Sequence, residues 1–255
     1  MSKEHVLPRW IRKRFPDEGA QEHWSRTDLE DGTVRERRYP MVPFELTVRE
    51  VCRSCNNGWM ASLETKVKPI LGPMLTSSIR LPLSIDEQES LAFWAAKTLM
   101  VAQSTLPRGQ RIVPAGHRTE LLVEQAAPIC CRVAVARRPR EPEAWPYRLL
   151  AIGGEWRAKP PPGPRPSRDE FNTYRALLAA GHVVFHFLGF FDPEREEGLR
   201  PGDLPPGFIE IWPEPDRFLW SPEPEHRLQD LEGLMHVGRA DLIRPRRGLQ
   251  RVVSA

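Results

Sequence analysis

The fold of this chain is decided by two stretches, SKEHVLPRW at residues 2–10 and VCRSCNNGWM at residues 51–60. The first stretch places an acidic residue directly before a histidine, with Pro8 shortly after it. The second is a CxxC pair followed at once by two asparagines. Carboxylate, imidazole, thiolate and amide groups bind metal ions or move protons, so both stretches are candidates for a functional site.

The segments next to these motifs have recognisable patterns. Strand-like sequence lies on both sides of Asp31 and Gly32, a pair that favours a tight turn, and this predicts a β-hairpin between the motifs. After the CxxC pair, Met60, Leu63 and Val67 follow at helical spacing. We expect a short amphipathic helix there that ends at Pro69.

Together the two motifs resemble the HNH endonuclease family, and the resemblance covers about a quarter of the chain. In that family a ββα-metal module carries the site. An acidic residue followed by histidine supplies the general base and a metal ligand, and a CxxC followed by histidine or asparagine opens the helix that supplies another ligand. The asparagine that the family has between these two elements has no counterpart here, because no asparagine lies between His5 and Asn56.

The resemblance implies a role for each residue of the motifs. His5 is the expected general base, since a neutral imidazole can take a proton from water near neutral pH. Glu4 and Asn56, with Asn57 as a substitute, are the expected ligands of Mg²⁺ or another divalent cation, which would neutralise charge on the scissile phosphate. The implied function is metal-dependent hydrolysis of phosphodiester bonds in nucleic acid.

The resemblance also implies a structural Zn²⁺, of which only half the site is visible. Structural zinc commonly needs two CxxC pairs, and Cys52 and Cys55 form one. The other is expected just upstream of the EH motif, where Met1 leaves no room, so either the start is truncated or the zinc is lost. Cys130 and Cys131 are poor replacements, because neighbours in a strand point to opposite faces. A redox role for the CxxC pair is a less favoured alternative.

Basic residues follow the EH motif closely. The net charge of +3 is too small to indicate a nucleic-acid binder, so the argument depends on this local cluster. A solvated face and a contact with phosphates are equally favoured interpretations. The second makes nucleic acid the expected partner, with DNA as the first expectation. The cluster consists of Arg9, Arg12, Lys13 and Arg14.

The sequence changes character after Leu83. Ser84 and Glu87 have the spacing of a capping box, and the following LAFWAAKTLMVA is apolar nearly all round, which predicts a buried helix. A further helix is predicted in RTELLVEQA, and strands in RVAVA, YRLLAIG, VVFHFLGF and FIEIW. The proline-rich run KPPPGPRPS is expected to be an exposed loop.

The predicted fold class is therefore α+β, in two parts. Residues 1–80 form an HNH-like ββα-metal module, and residues 81–255 form a mixed α+β accessory domain with a buried central helix and proline-rich loops. No apolar stretch is long enough to span a membrane or to serve as a signal peptide, and the cysteines do not form a disulfide framework. We expect a cytoplasmic protein without a membrane partner.

Two other functions stay open at this point. The chain could be a catalytically degenerate HNH-fold protein that binds nucleic acid without cutting it. Alternatively, the α+β part could be the functional one and bind a protein or small ligand through its proline-rich loops. The catalytic hypothesis predicts that His5 and Asn56 face each other across a small cleft, with Glu4 or Asn57 beside them.

Overall fold

The computed structural model describes residues 1–15, 21–28, 34–41, 45–76, 79–106, 111–138, 147–156, 173–190, 204, 207–221, 243–245 and 250–251. The helices are α1 (Arg9–Arg12), α2 (Arg53–Cys55), α3 (Ala61–Thr76), α4 (Ile85–Gln103) and α5 (Ala115–Glu124). The strands are β1 (Ser2–His5), β2 (Gln21–Asp28), β3 (Val34–Met41), β4 (Thr47–Val51), β5 (Leu81–Leu83), β6 (Cys131–Arg137), β7 (Tyr147–Trp156), β8 (Thr173–Ala180), β9 (Val183–Phe190), β10 (Ile209–Trp212), β11 (Phe218–Trp220), β12 (Ile243–Pro245) and β13 (Gln250–Arg251).

Strand pairing joins the two sequence motifs. β1 carries the EH motif and pairs antiparallel with β4, with Glu4 opposite Val48 and His5 opposite Thr47. β4 leads directly into the CxxC pair. The predicted hairpin is confirmed, because β2 and β3 pair antiparallel in continuous register. The turn residues Asp31 and Gly32 lie outside the described residues.

A six-stranded antiparallel sheet forms the main layer, in the order β10-β6-β9-β8-β7-β12. The buried α4 packs on it, and the rings of Trp94 and Phe185 lie 6.0 Å apart. The mixed α+β class, the buried helix and the predicted strands β6, β7, β9 and β10 are thus confirmed. Strand β8 is not among the predicted strands. Its alanines and leucines favour a helix, but pairing with β7 and β9 on both sides outweighs that preference.

The predicted capping box begins α4. The Ser84 hydroxyl accepts a hydrogen bond from the Glu87 amide at 3.3 Å, and the Glu87 carboxylate accepts one from the Ser84 amide at 2.8 Å. From Leu91 to Gln103 every residue of the helix is buried. Lys97 is the one charged residue in that buried run, and this becomes important at the candidate site.

Helix α3 does not end at Pro69 as predicted, and it also continues through Pro73 to Thr76. Each proline removes one backbone hydrogen bond and costs about 3 kcal/mol within a helix. One face of α3 is buried, and each large apolar side chain there contributes roughly 1.5–3 kcal/mol. This burial outweighs the two prolines. The buried side chains of that face are Leu63, Val67, Ile70, Leu71, Met74 and Leu75.

The hydrophobic core includes side chains from both predicted parts of the chain. Ile11, Val48 and Val67 belong to the same cluster of buried residues as Trp94 and Phe185. Among the described residues no helix is long and apolar enough to cross a membrane. The proline-rich run KPPPGPRPS, at residues 159–167, lies outside the described residues.

The interior of the sheet contains a histidine without a hydrogen-bond partner. In the described part of the chain neither ring nitrogen of His186 is hydrogen-bonded, and the residue is 1% exposed. Its pKa is lowered from 6.5 to about 3, mainly by burial and also by the positive charge of Arg175. Below about pH 6.5, His186 therefore binds a proton in the unfolded chain but stays neutral in the folded chain.

We expect stability to fall as the pH drops from 6.5 towards 3, because the unfolded state gains that proton first. The cost is about 1.4 kcal/mol per pH unit for this one group, or about 2–3 kcal/mol at pH 4.5 relative to pH 7. Urea unfolding of the native chain and of His186→Leu at both pH values measures it. An equal loss of stability in both proteins would show that His186 does not cause the pH dependence.

Candidate site at the junction of the two motifs

Asn56 connects the second motif to the first. Its side-chain nitrogen donates to the Ser2 hydroxyl at 3.1 Å and lies 3.5 Å from the Lys3 carbonyl oxygen. Its side chain also lies close enough to Glu4 to lower the pKa of that carboxyl. The structure thus brings together Glu4 and Asn56, which the resemblance assigns to one site.

The backbone around Asn56 is irregular. Residues Asn56–Met60 form a wide π-type turn between α2 and α3, and the conformation of Gly58 (φ −97°, ψ −112°) kinks the chain there. Such turns within helices are frequent at functional sites, because they let one side chain leave the regular helical spacing. Here the turn allows Asn56 to reach β1 while α3 packs into the core.

A buried ion pair lies next to Glu4. Lys97 Nζ on α4 is 3.0 Å from Glu64 Oε1 on α3, and the Lys97 side chain is 1% exposed. Burial raises the pKa of Glu4; the charge of Lys97 and the nearby Asn56 amide oppose this rise, and the charge of Glu64 adds to it. Four polar groups from β1, the π turn, α3 and α4 therefore interact within one cluster, which we call the junction cluster (Glu4, Asn56, Glu64 and Lys97).

Glu64 and Lys97 were not predicted as site residues. The sequence contained a signal for Lys97, because a lone lysine within an apolar helix must find a partner when the helix is buried. It contained none for Glu64, which reads as an ordinary polar position of an amphipathic helix.

His5 has a different set of neighbours. Its Nε2 atom lies 3.5 Å from Glu45 Oε2, and the Arg9 Nε atom is also 3.5 Å away. Glu45 in turn is paired with Arg12. Successive strand residues point to opposite faces, which accounts for Glu4 and His5 having separate contacts. His5 contacts Glu45 and Arg9, and Asn56 contacts Ser2 and Lys3, so in the described part of the chain they share no neighbour. The predicted cleft between these two side chains stays a prediction.

The charge on Glu45 is stabilised by its neighbours. Burial alone would raise the pKa of Glu45, but the hydrogen bond and charge of Arg12, with a contribution from His5, lower it below the usual value. Glu45 is therefore ionised near neutral pH. It was not predicted, because nothing in the sequence distinguishes it from other acidic residues near β4.

The basic cluster lies on α1 and the residues after it. Arg9, Lys13 and Arg14 are exposed, whereas Arg12 is half-buried and paired with Glu45. The guanidinium of Arg14 packs over Gly72 of α3, where an added Cβ would lie 2.6 Å from an Arg14 nitrogen. Arg9 is the member of the cluster that contacts His5.

The cysteines of the second motif are bonded to each other. Cys52 and Cys55 form a disulfide, with their Cα atoms 5.3 Å apart. A disulfide has no thiolate to offer, so zinc would require the reduced pair. Cys131 belongs to the main core, and Cys130 packs with Leu188 outside it, which matches the prediction that the two point in different directions.

The residues do not fit the divalent cation that the resemblance implies. Among the described residues no group of three or more histidine, cysteine, aspartate or glutamate side chains could hold a metal ion. Lys97 already pairs with Glu64, and Asn56 donates to the Ser2 hydroxyl. Asn57 is exposed, and its side chain makes no hydrogen bond within the described part of the chain.

A cleft of about 450 Å³ lies beside α3 and α4. Trp59, which follows the asparagines, stacks on Phe93 with ring centroids 5.3 Å apart, and both line the cleft with Trp212. Trp59 is therefore half-buried at the edge of the core.

Comparisons with protein-family models, with curated proteins and with solved structures find no match to this chain. The likeness to HNH endonucleases therefore depends on the two motifs and on the contacts between them.

Proposed function

We propose that this chain is an endonuclease of the HNH type that hydrolyses phosphodiester bonds in nucleic acid, with His5 as its general base. The observation that carries the proposal is the pairing of β1 with β4, which joins two motifs that are distant in sequence and bonds Asn56 to β1. A β1–β4 pair followed by the helix α3 is also the order of elements in a ββα module.

The surroundings of His5 suit a general base. The Nε2 atom of His5 faces Glu45 and Arg9, so Nδ1 takes the proton from water. The resulting hydroxide attacks phosphorus, the bond to the departing oxygen breaks, and that oxygen takes a proton from the solvent. Ionised Glu45 stabilises the imidazolium that forms, as the carboxylate does in other histidine–carboxylate pairs. Arg9, next to His5, is placed to offset the charge that develops on the phosphate.

The second candidate is a protein that keeps this fold and binds nucleic acid without cutting it. The observation that favours it is the junction cluster, in which Lys97 already pairs with Glu64. Such a protein would use the basic cluster on α1 and would not need His5.

Incubation of supercoiled plasmid with purified protein separates these two candidates. Parallel samples contain Mg²⁺, Mn²⁺ or a chelator. Conversion to nicked or linear plasmid by the native chain, above that of a His5→Ala preparation, supports the endonuclease. Intact plasmid that is retained by the protein in a gel would contradict cleavage and favour the binding protein.

Both candidates predict binding that weakens with salt. For duplex DNA the slope of log K against log salt is about −0.9 per phosphate contacted. We expect Arg9→Gln and Lys13→Gln each to reduce the magnitude of that slope by about 1. Fluorescence anisotropy of a labelled duplex at several salt concentrations measures it.

The matched control is Arg217→Gln, which removes an exposed positive charge between β10 and β11. This variant should keep the native slope. A slope that all three variants leave unchanged would contradict a nucleic-acid surface at α1.

A further inference from the structure

The carboxylates of the junction cluster already have a cation among them. The Lys97 ammonium lies 3.0 Å from Glu64 Oε1, and its charge also acts on the carboxylate of Glu4. Lys97 is on the buried side of α4, where its side chain is 1% exposed. This ammonium is therefore a fixed part of the core.

A divalent metal and this ammonium would compete for the same oxygens. Magnesium and manganese take carboxylate and amide oxygens, and the cluster provides them on Glu4, Glu64 and Asn56. With Lys97 in place, a metal would be repelled by a fixed positive charge at short range. Asn56 also turns its side-chain N–H groups towards the Ser2 hydroxyl and the Lys3 carbonyl.

We infer that the Lys97 ammonium takes the position that the sequence motifs assign to a divalent metal, and that Glu4 and Asn56 bind no such metal while Lys97 is present. The inference does not depend on the chain being a nuclease. Its consequence is that one substitution, Lys97→Met, converts the junction cluster into a divalent-metal site. Methionine is unbranched like lysine, keeps an apolar stem that is one atom shorter, and removes the charge.

Manganese binding to the tag-free full-length protein tests this inference, measured as the loss of the free Mn²⁺ signal in electron paramagnetic resonance. The native chain should show no saturable binding of Mn²⁺ in the millimolar range, whereas Lys97→Met should bind one ion saturably there. Adding Glu4→Gln to Lys97→Met should abolish that binding. The control Lys66→Met, which removes an exposed lysine of α3, should behave as the native chain.

Saturable binding to the native chain that Glu4→Gln removes would overturn the inference, and this result does not depend on the Lys97 variant folding. A folded Lys97→Met that binds no Mn²⁺ would overturn it as well. Failure of the plasmid assay bears only on the proposed nuclease, because metal binding is measured here without substrate.

Discussion

Replacing Lys97 by methionine is expected to lower the free energy of unfolding by about 3–5 kcal/mol in the absence of metal. The loss arises because the carboxylates of Glu64 and of the buried Glu4 would then lack the ammonium that compensates them. Removing one member of a buried ion pair costs far more than the pair itself contributes. Urea unfolding followed by circular dichroism at neutral pH measures the change.

Two further variants identify the cause of that loss. Lys66→Met removes an exposed lysine of α3, and its stability should stay within about 0.5 kcal/mol of the native chain. Lys97→Met combined with Glu64→Leu should recover part of the stability, since it removes both charges of the pair. If the double variant loses as much stability as Lys97→Met and Glu64→Leu lose together, Lys97 does not stabilise the fold through its ion pair with Glu64.

Much of the fold could be predicted because local patterns and the final packing agree. The capping box at Ser84, the apolar run after it and the apolar strand VVFHFLGF all point to the elements that form. The failures occur where packing overrides a local preference. Pro69 should stop α3, but the helix continues because one of its faces is buried. The residues of β8 favour a helix, but they form a strand because they lie between two other strands.

The candidate site could be predicted only in part, for a similar reason. Glu4 and Asn56 were found because their motifs have recognisable spacing, and Asn56 bonds to the strand that carries Glu4. Glu64 and Lys97 come from two helices, so only the packing of α3 on α4 brings them together. Their presence changes the chemistry of the cluster from an open set of oxygen ligands to one that already contains its counter-ion.

His5→Ala is expected to reduce the rate of plasmid cleavage by about 10²–10⁴-fold, the usual contribution of a general base. The reason is that the imidazole of His5 lies beside the basic cluster on α1. Its Nε2 atom is 3.5 Å from Glu45 Oε2. Initial rates of nicking at saturating protein measure the effect. Thr47→Ala, which alters the residue paired with His5 on β4, is the control and should retain the native rate.

A readout other than rate separates a base from a residue that only supports the strand. Added imidazole should restore part of the activity of His5→Ala, because the truncated side chain leaves room beside Glu45 for a diffusible base. DNA affinity should change little, since Arg9 and Lys13 supply the charge that attracts phosphate. A variant that loses DNA binding and cleavage together, without rescue by imidazole, would assign His5 to positioning Arg9 and would contradict its role as the base.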